Sequence, residues 1–203
     1  MNRCAIITGG EYAPIVKIEE CDFIIACDKG YKYCKENNIR ADLLIGDFDS
    51  YDGEIPDDLE VIRLPVMKDD TDTMYAYRYA VEKGFKEIYL YCALGGRFDL
   101  LLANLQCAIY GAHNNISTYI YSSEDEILIT NDDHVVIHKK EGYSLSLLAA
   151  DICKDVKITG ALYETDNIDL TNSFPLGVSN EFVKDEVIIE KKNGVIIIVQ
   201  SLL

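Results

Sequence analysis

Short apolar runs alternate with amphipathic stretches over the first 120 or so residues. Residues 4–8, 23–27, 43–45, 61–64, 87–92 and 117–121 read as strands. Most are continuously apolar rather than alternating, the pattern of strands covered on both faces. Between them, residues 31–37, 71–83 and 100–110 carry apolar side chains at helical spacing, and Gly84 and Gly111 supply stop signals. This alternation predicts a parallel α/β sheet.

The pattern changes near Ser122. Residues 126–130, 134–138, 143–148, 156–159, 185–190 and 195–200 read as short strands, and no long helix separates them. Turn signals lie between, among them Lys192-Asn193-Gly194-Val195, where Asn-Gly suits the positive φ angles of a type I′ hairpin. The expectation is two closely packed domains: an α/β domain over residues 1–122 and an all-β sandwich-like or small-barrel domain over 123–203.

Composition narrows the function classes. At 49% hydrophobic and 27% charged, the chain can bury a real core. A formal charge of −16 argues against gripping nucleic acid by its phosphates, and equally against docking on an anionic membrane. The seven cysteines are odd in number and no two have C-x-x-C spacing, so they read as buried thiols in a reducing compartment. The N-terminus does not read as a signal peptide, and no apolar run reaches membrane-span length. The expected location is the cytoplasm.

Three acidic constellations then stand out, each just past a predicted strand, where open α/β sheets bind ligands. In Gly46-Asp47-Phe48-Asp49-Ser50, two carboxylates can converge on one hard cation, although a solvated turn or a helix cap explains them as well. Lys68-Asp69-Asp70-Thr71-Asp72 precedes a helix. One acid there is an ordinary cap, but three in four residues repel one another unless a cation or a ligand's donors sit among them. In Gly95-Gly96-Arg97-Phe98-Asp99, paired glycines allow close backbone approach and Arg97 adds a fork suited to phosphate; a simple turn with Asp99 as cap is the alternative. Together they suggest Mg²⁺ held by carboxylates, with Arg97 and Lys68 on phosphate oxygens. There is no P-loop, no nucleophile elbow and no zinc-protease motif. Gly9-Gly10 reads as a Gly pair only, and His113, His134 and His138 as surface or strand residues.

The segments IACDKGYKYCKENNIRADLLIGDFDS, KDDTD, GGRFD and PLGVSNEF, in that order, resemble the thiamine pyrophosphokinase family over essentially the whole chain. The resemblance implies an α/β nucleotide-binding domain followed by a thiamine-binding β-sandwich. It also implies a homodimer with active sites shared between subunits, and transfer of pyrophosphate from ATP to the thiamine hydroxyl with release of AMP. By position it puts Asp47, Asp49 and Asp72 at the Mg²⁺–ATP centre with Asp99 close by, and Arg97, Thr71 and Lys68 on the phosphate chain. Asp28 would lie near the nucleotide, and Ser179 and Asn180 would help hold thiamine. Asp72 or Asp99 is the expected base, and Phe174 and Phe182 are candidates to stack on the thiazolium ring. Three positions in two segments depart from the family: Leu100 stands where a His follows GGR-x-D, and Lys29 and Tyr31 replace small residues of its A-D-G-G-A segment.

Two other readings stand beside this one. A nucleotide-sugar transferase also uses Asp-Phe-Asp, but leaves KDDTD and GGRFD without roles. A sensor that binds thiamine or nucleotide without turnover would share the site and release no AMP.

Overall fold

A computed structural model describes residues 2–48, 51, 53–65, 67 and 69–203. The chain divides into two compact units, Met1–Ser123 and Glu124–Leu203.

In the first unit, six strands form a parallel sheet: β1 (Arg3–Ile7), β2 (Phe23–Cys27), β3 (Leu43–Gly46), β4 (Glu60–Arg63), β5 (Glu87–Tyr91) and β6 (Ser117–Tyr121). Their order is β6-β5-β1-β2-β3-β4. The chain therefore winds outward from β1 to β4, then returns to the other side of β1 with β5. Neighbouring loops diverge where the order reverses, which leaves a crevice at the carboxyl ends of β1 and β5.

Both faces of this sheet are covered. On one, Ala5, Ile7, Ala26, Leu44, Tyr89, Tyr91 and Tyr121 join Tyr31, Tyr33 and Cys34 of α1 (Gly30–Glu36) in a core cluster. The alternate residues Cys4, Ile6, Ile25, Leu43, Ile88 and Ile120 are fully buried on the other. There α2 (Asp72–Lys83) and α3 (Phe98–His113) pack, and the Tyr77 hydroxyl of α2 shares a 3.2 Å hydrogen bond with Thr118 of β6. Thr71 caps α2 by accepting from the backbone N–H of Met74 at 3.1 Å, and Gly84 closes it in the left-handed conformation. Helix α3 starts earlier than residue 100, with Arg97 rather than Asp99 at the cap position.

The second unit is a sandwich of two antiparallel sheets. One has the order β12-β9-β14-β7, from β12 (Gly177–Asn180), β9 (Tyr143–Ala149), β14 (Ile196–Leu202) and β7 (Asp125–Thr130). The other is β11-β10-β13-β8, from β11 (Thr165–Thr171), β10 (Ile152–Thr159), β13 (Glu186–Glu190) and β8 (His134–His138). Leu145, Leu147, Ile196 and Ile198 of the first sheet meet Val156, Ile158, Val187 and Ile189 of the second in one core. Strands β11 and β12 are additions to the six read from the sequence, and both lie at sheet edges. The seven cysteines are free thiols, six buried and Cys21 half-buried. Among the described residues, no helix is long and apolar enough to cross a membrane.

Candidate active site

The crevice at the β1/β5 reversal is a pocket of about 240 Å³. Thr8, Gly9 and Gly10 follow β1 into it; Cys27, Asp28 and Lys29 come from the end of β2; Thr71, Asp72 and Thr73 open α2; Leu100, Ala103 and Asn104 come from α3. A cavity of about 310 Å³ lined by Tyr31, Arg40, Asp42 and Asp58 among others gathers none of these strand-end residues, so it is not the site.

The floor is tightly built. Buried Thr8 donates from its hydroxyl to the carbonyl of Cys92 at 2.6 Å, tying the β1 loop to the β5 loop. A Cβ on Gly10 would lie 2.3 Å from that same carbonyl oxygen, so only glycine fits there. Asn104 donates to the carbonyl of Ala93 at 2.9 Å and fixes α3 against the β5 loop. Asp28 takes a positive φ of 48°, with its N–H donating to the carbonyl of Ile45 at 2.9 Å. A Cβ on Gly46 would lie 3.1 Å from the Asp28 Cβ, so the start of the Asp47 loop abuts Asp28. Phe48, also at positive φ, carries the Arg63 guanidinium 4.8 Å above its ring.

The expected residues therefore separate into groups. Asp28, Thr71 and Asp72 line the pocket; Asp47 does not, and follows Gly46, the last residue of β3, which abuts Asp28. Asp49 and Lys68 lie outside the described residues. Arg97 and Asp99 do not line the pocket; their side chains are 72% and 67% exposed and bind each other, Nε to Oδ1 at 3.1 Å and Nη2 to Oδ2 at 2.6 Å. The guanidinium hydrogen bond holds the Asp99 carboxyl below the usual carboxylate range. Arg78 pairs with Asp70.

In the second unit, Asn180 is buried and its amide is committed to backbone. Its Oδ1 accepts from the N–H of Tyr163 and of Glu181, both at 2.9 Å, and its Nδ2 donates to the Tyr163 carbonyl at 3.0 Å. Ser179 is exposed at φ 60°, its N–H donating to the Ser146 hydroxyl at 3.1 Å. Phe174 is exposed, whereas Phe182 packs against the sandwich core.

The oxygen donors on the pocket wall are the carboxylates of Asp28 and Asp72, the hydroxyls of Thr8, Thr71 and Thr73 and the amide of Asn104. The one thiol on its wall, Cys27, is pushed well above its ordinary value by burial, reinforced by Asp72, and stays protonated. Such a set fits Mg²⁺, which keeps several waters and takes one or two carboxylates together with substrate phosphates. Among the described residues no three His, Cys, Asp or Glu side chains are grouped so as to hold a metal ion.

Sequence reasoning missed Thr8, Lys29 and Asn104 as pocket residues and gave Gly9-Gly10 no role. Two signals were present: a Gly pair directly after the first strand, and Leu100, Ala103 and Asn104 at i, i+3 and i+4 on one helix face.

The family model described as thiamin pyrophosphokinase, catalytic domain, matches residues 16–120, and that described as thiamin pyrophosphokinase, vitamin B1 binding domain, matches residues 133–196. The chain belongs to the thiamin pyrophosphokinase family. Thiamine pyrophosphokinase of Bacillus subtilis (strain 168) is 26% identical over 213 residues, covering 99% of each chain. Among solved structures of the family, the Bacillus subtilis enzyme superposes with a TM-score of 0.86 at 24% identity over 99% of both chains. The thiamin pyrophosphokinase of Candida albicans gives 0.76 at 16% identity over 98% of this chain and 89% of the other. These structural likenesses establish the family fold, with a parallel α/β unit and an antiparallel β unit.

Proposed function

We propose that this chain transfers pyrophosphate from ATP to the hydroxyl of thiamine, giving thiamine diphosphate and AMP. The observation that carries the reading is the pocket at the strand-order reversal, with Asp28, Lys29 and Asp72 on its wall, in a chain matched by both domain models of the family.

Fully ionised ATP carries about four negative charges, so an acidic pocket needs a cation to admit it. Asp47, Asp49 and Asp72 would hold Mg²⁺. Bound there, the ion neutralises phosphate charge and polarises the phosphoryl group being transferred. Thr71 and the N–H groups opening the twelve-residue helix α2 favour an anion beside Asp72.

The thiamine hydroxyl oxygen attacks the β-phosphorus. The bond from that phosphorus to the α,β-bridging oxygen breaks, and the bridging oxygen leaves with AMP. The hydroxyl proton passes to a carboxylate. We assign this role to Asp72, which would also help to hold Mg²⁺. Its place on the pocket wall supports it over Asp99, which is engaged by Arg97 outside the pocket. Arg97 reaches phosphate only by exchanging Asp99 for it.

Thiamine is assigned to the second unit, with Ser179 at the binding surface and Asn180 holding the Tyr163 backbone in place beside it. The assembly is a homodimer. The location is the cytoplasm, which the seven free thiols favour.

The test is AMP release from ATP and thiamine, with and without Mg²⁺. Thiamine-dependent AMP in the presence of Mg²⁺ is expected. Binding of both substrates without AMP makes the chain a sensor and overturns the enzymatic reading.

A further inference from the structure

One cation lines the pocket among the described residues, and it is Lys29. Three arginines of this unit are engaged elsewhere and do not line the pocket: Arg97 is paired with Asp99, Arg78 with Asp70, and Arg63 lies over the Phe48 ring. Lys29 is half-buried, directly after Asp28 at the end of β2.

Its ammonium is held by a rigid platform. The Nζ lies 5.5 Å from the centroid of the Tyr33 ring. Tyr33 is buried in the core on α1; its hydroxyl donates to the Gly10 carbonyl at 2.8 Å, and its ring meets Tyr12 edge-on at 5.4 Å between centroids. A Cβ on Gly9 would lie 3.1 Å from the Lys29 Cβ, so the Gly pair also makes room for the lysine stem. Among the described residues no carboxylate lies within 4.0 Å of the ammonium. An aromatic face orients a cation without neutralising it, so the charge remains available to an anion in the pocket.

We propose that Lys29 is a phosphate-binding residue of this site, donating from its ammonium to a phosphate oxygen of the nucleoside triphosphate. The inference rests on the reading of the pocket as the ATP site. The lysine supplies inside the pocket the positive charge that Arg97, bound to Asp99, does not.

The test is calorimetric binding of MgATP and of adenosine to the wild-type protein and to Lys29→Met and Lys29→Arg variants. Lys29→Met keeps the length of the stem and removes the charge. Losing one charge-assisted hydrogen bond should weaken MgATP binding about tenfold and leave adenosine binding unchanged. Lys29→Arg should stay within about threefold of wild type, because the charge is retained. The KM for ATP should rise in Lys29→Met while the KM for thiamine and the melting temperature hold. Wild-type MgATP affinity in Lys29→Met overturns the proposal, as does an equal loss for adenosine or an equal loss in Lys29→Arg. A wild-type protein that neither binds MgATP nor releases AMP overturns the reading of the pocket itself, a result told apart by the wild-type titration alone.

Discussion

The guanidinium of Arg97 closes on the carboxylate of Asp99, two residues along the same turn, through two hydrogen bonds at 3.1 and 2.6 Å. Asp99 also accepts from the backbone N–H of Leu100 at 3.0 Å. Both side chains are exposed, so water screens the pair and opening it costs little. A guanidinium parked on a neighbouring carboxylate is therefore ready to trade it for a phosphate.

Arg97→Gln tests this pair in two ways. The arginine hydrogen bond is the largest cause lowering the Asp99 carboxyl, so in Arg97→Gln that carboxyl should rise toward its ordinary value. Carbon-detected NMR titration of Asp99 reads it directly. A carboxyl whose folded value is depressed stabilises the fold above the unfolded carboxylate range, and the contribution disappears as pH falls through the lowered value. Any stability gap between wild type and variant should thus close in acid. An Asp99 that titrates identically in both proteins would rule out the pair in solution.

The carboxylate assignment predicts a split between Asp47→Asn and Asp72→Asn. Each removes one charge while keeping side-chain shape, and each should lower Mg²⁺-dependent turnover by about a hundredfold or more. Raising Mg²⁺ should restore part of the lost rate. Asp72 alone also sits in the first turn of α2, where an acid contributes about 0.3–1 kcal/mol against the helix dipole. Asp72→Asn should therefore melt slightly below wild type and Asp47→Asn should not. Full AMP formation in either variant removes that residue from the centre.

Much of the first unit is legible in the chain because strands β1, β2, β3 and β5 are continuous apolar runs that fit little else. The second unit is less so. Thr165–Thr171 reads TDNIDLT, a polar run rich in turn formers, yet it pairs as edge strand β11 against β10. Edge strands bury one face at most, so their pattern carries little signal. The site shows the same division. Thr71 and Asp72 stand out in an acidic run before a helix and Asp28 is reached only through the family resemblance, whereas Thr8, Lys29 and Asn104 come from the ends of β1 and β2 and from α3, elements that meet only in the folded sheet. Arg97 illustrates the reverse. Its fork suits a phosphate, but the nearest carboxylate is two residues away and takes it first.

Gly10 offers a test of how rigid the floor must be. A methyl group there would lie 2.3 Å from the Cys92 carbonyl oxygen, which already accepts from the Thr8 hydroxyl. The carbonyl has little room to yield, because Cys92 and the Thr8 that donates to it are both buried. Gly10→Ala should cost about 1–3 kcal/mol in urea unfolding, the range of an overpacked core. It should also weaken MgATP binding by displacing the β1 loop. An unfolding midpoint equal to wild type would show that the loop relaxes freely and that the close approach is not required.

Asn180 separates holding a ligand from holding the backbone beside it. Its amide satisfies two N–H groups and one carbonyl, on Tyr163 and Glu181, from a buried position. Asn180→Ala strands those backbone groups and should cost about 2 kcal/mol or more. Asn180→Asp keeps the accepting oxygen but turns a second oxygen toward the Tyr163 carbonyl, so it should be destabilised as well. If Asn180 acts by positioning, both variants should raise the KM for thiamine while the affinity for MgATP stays at the wild-type value. Ser179→Ala keeps the backbone bond to Ser146 and should leave stability unchanged, so any rise in its thiamine KM would come from the lost hydroxyl alone. A thiamine KM that holds in Asn180→Ala, despite the lost stability, would confine Asn180 to folding and leave the thiamine contact to other residues of the sandwich.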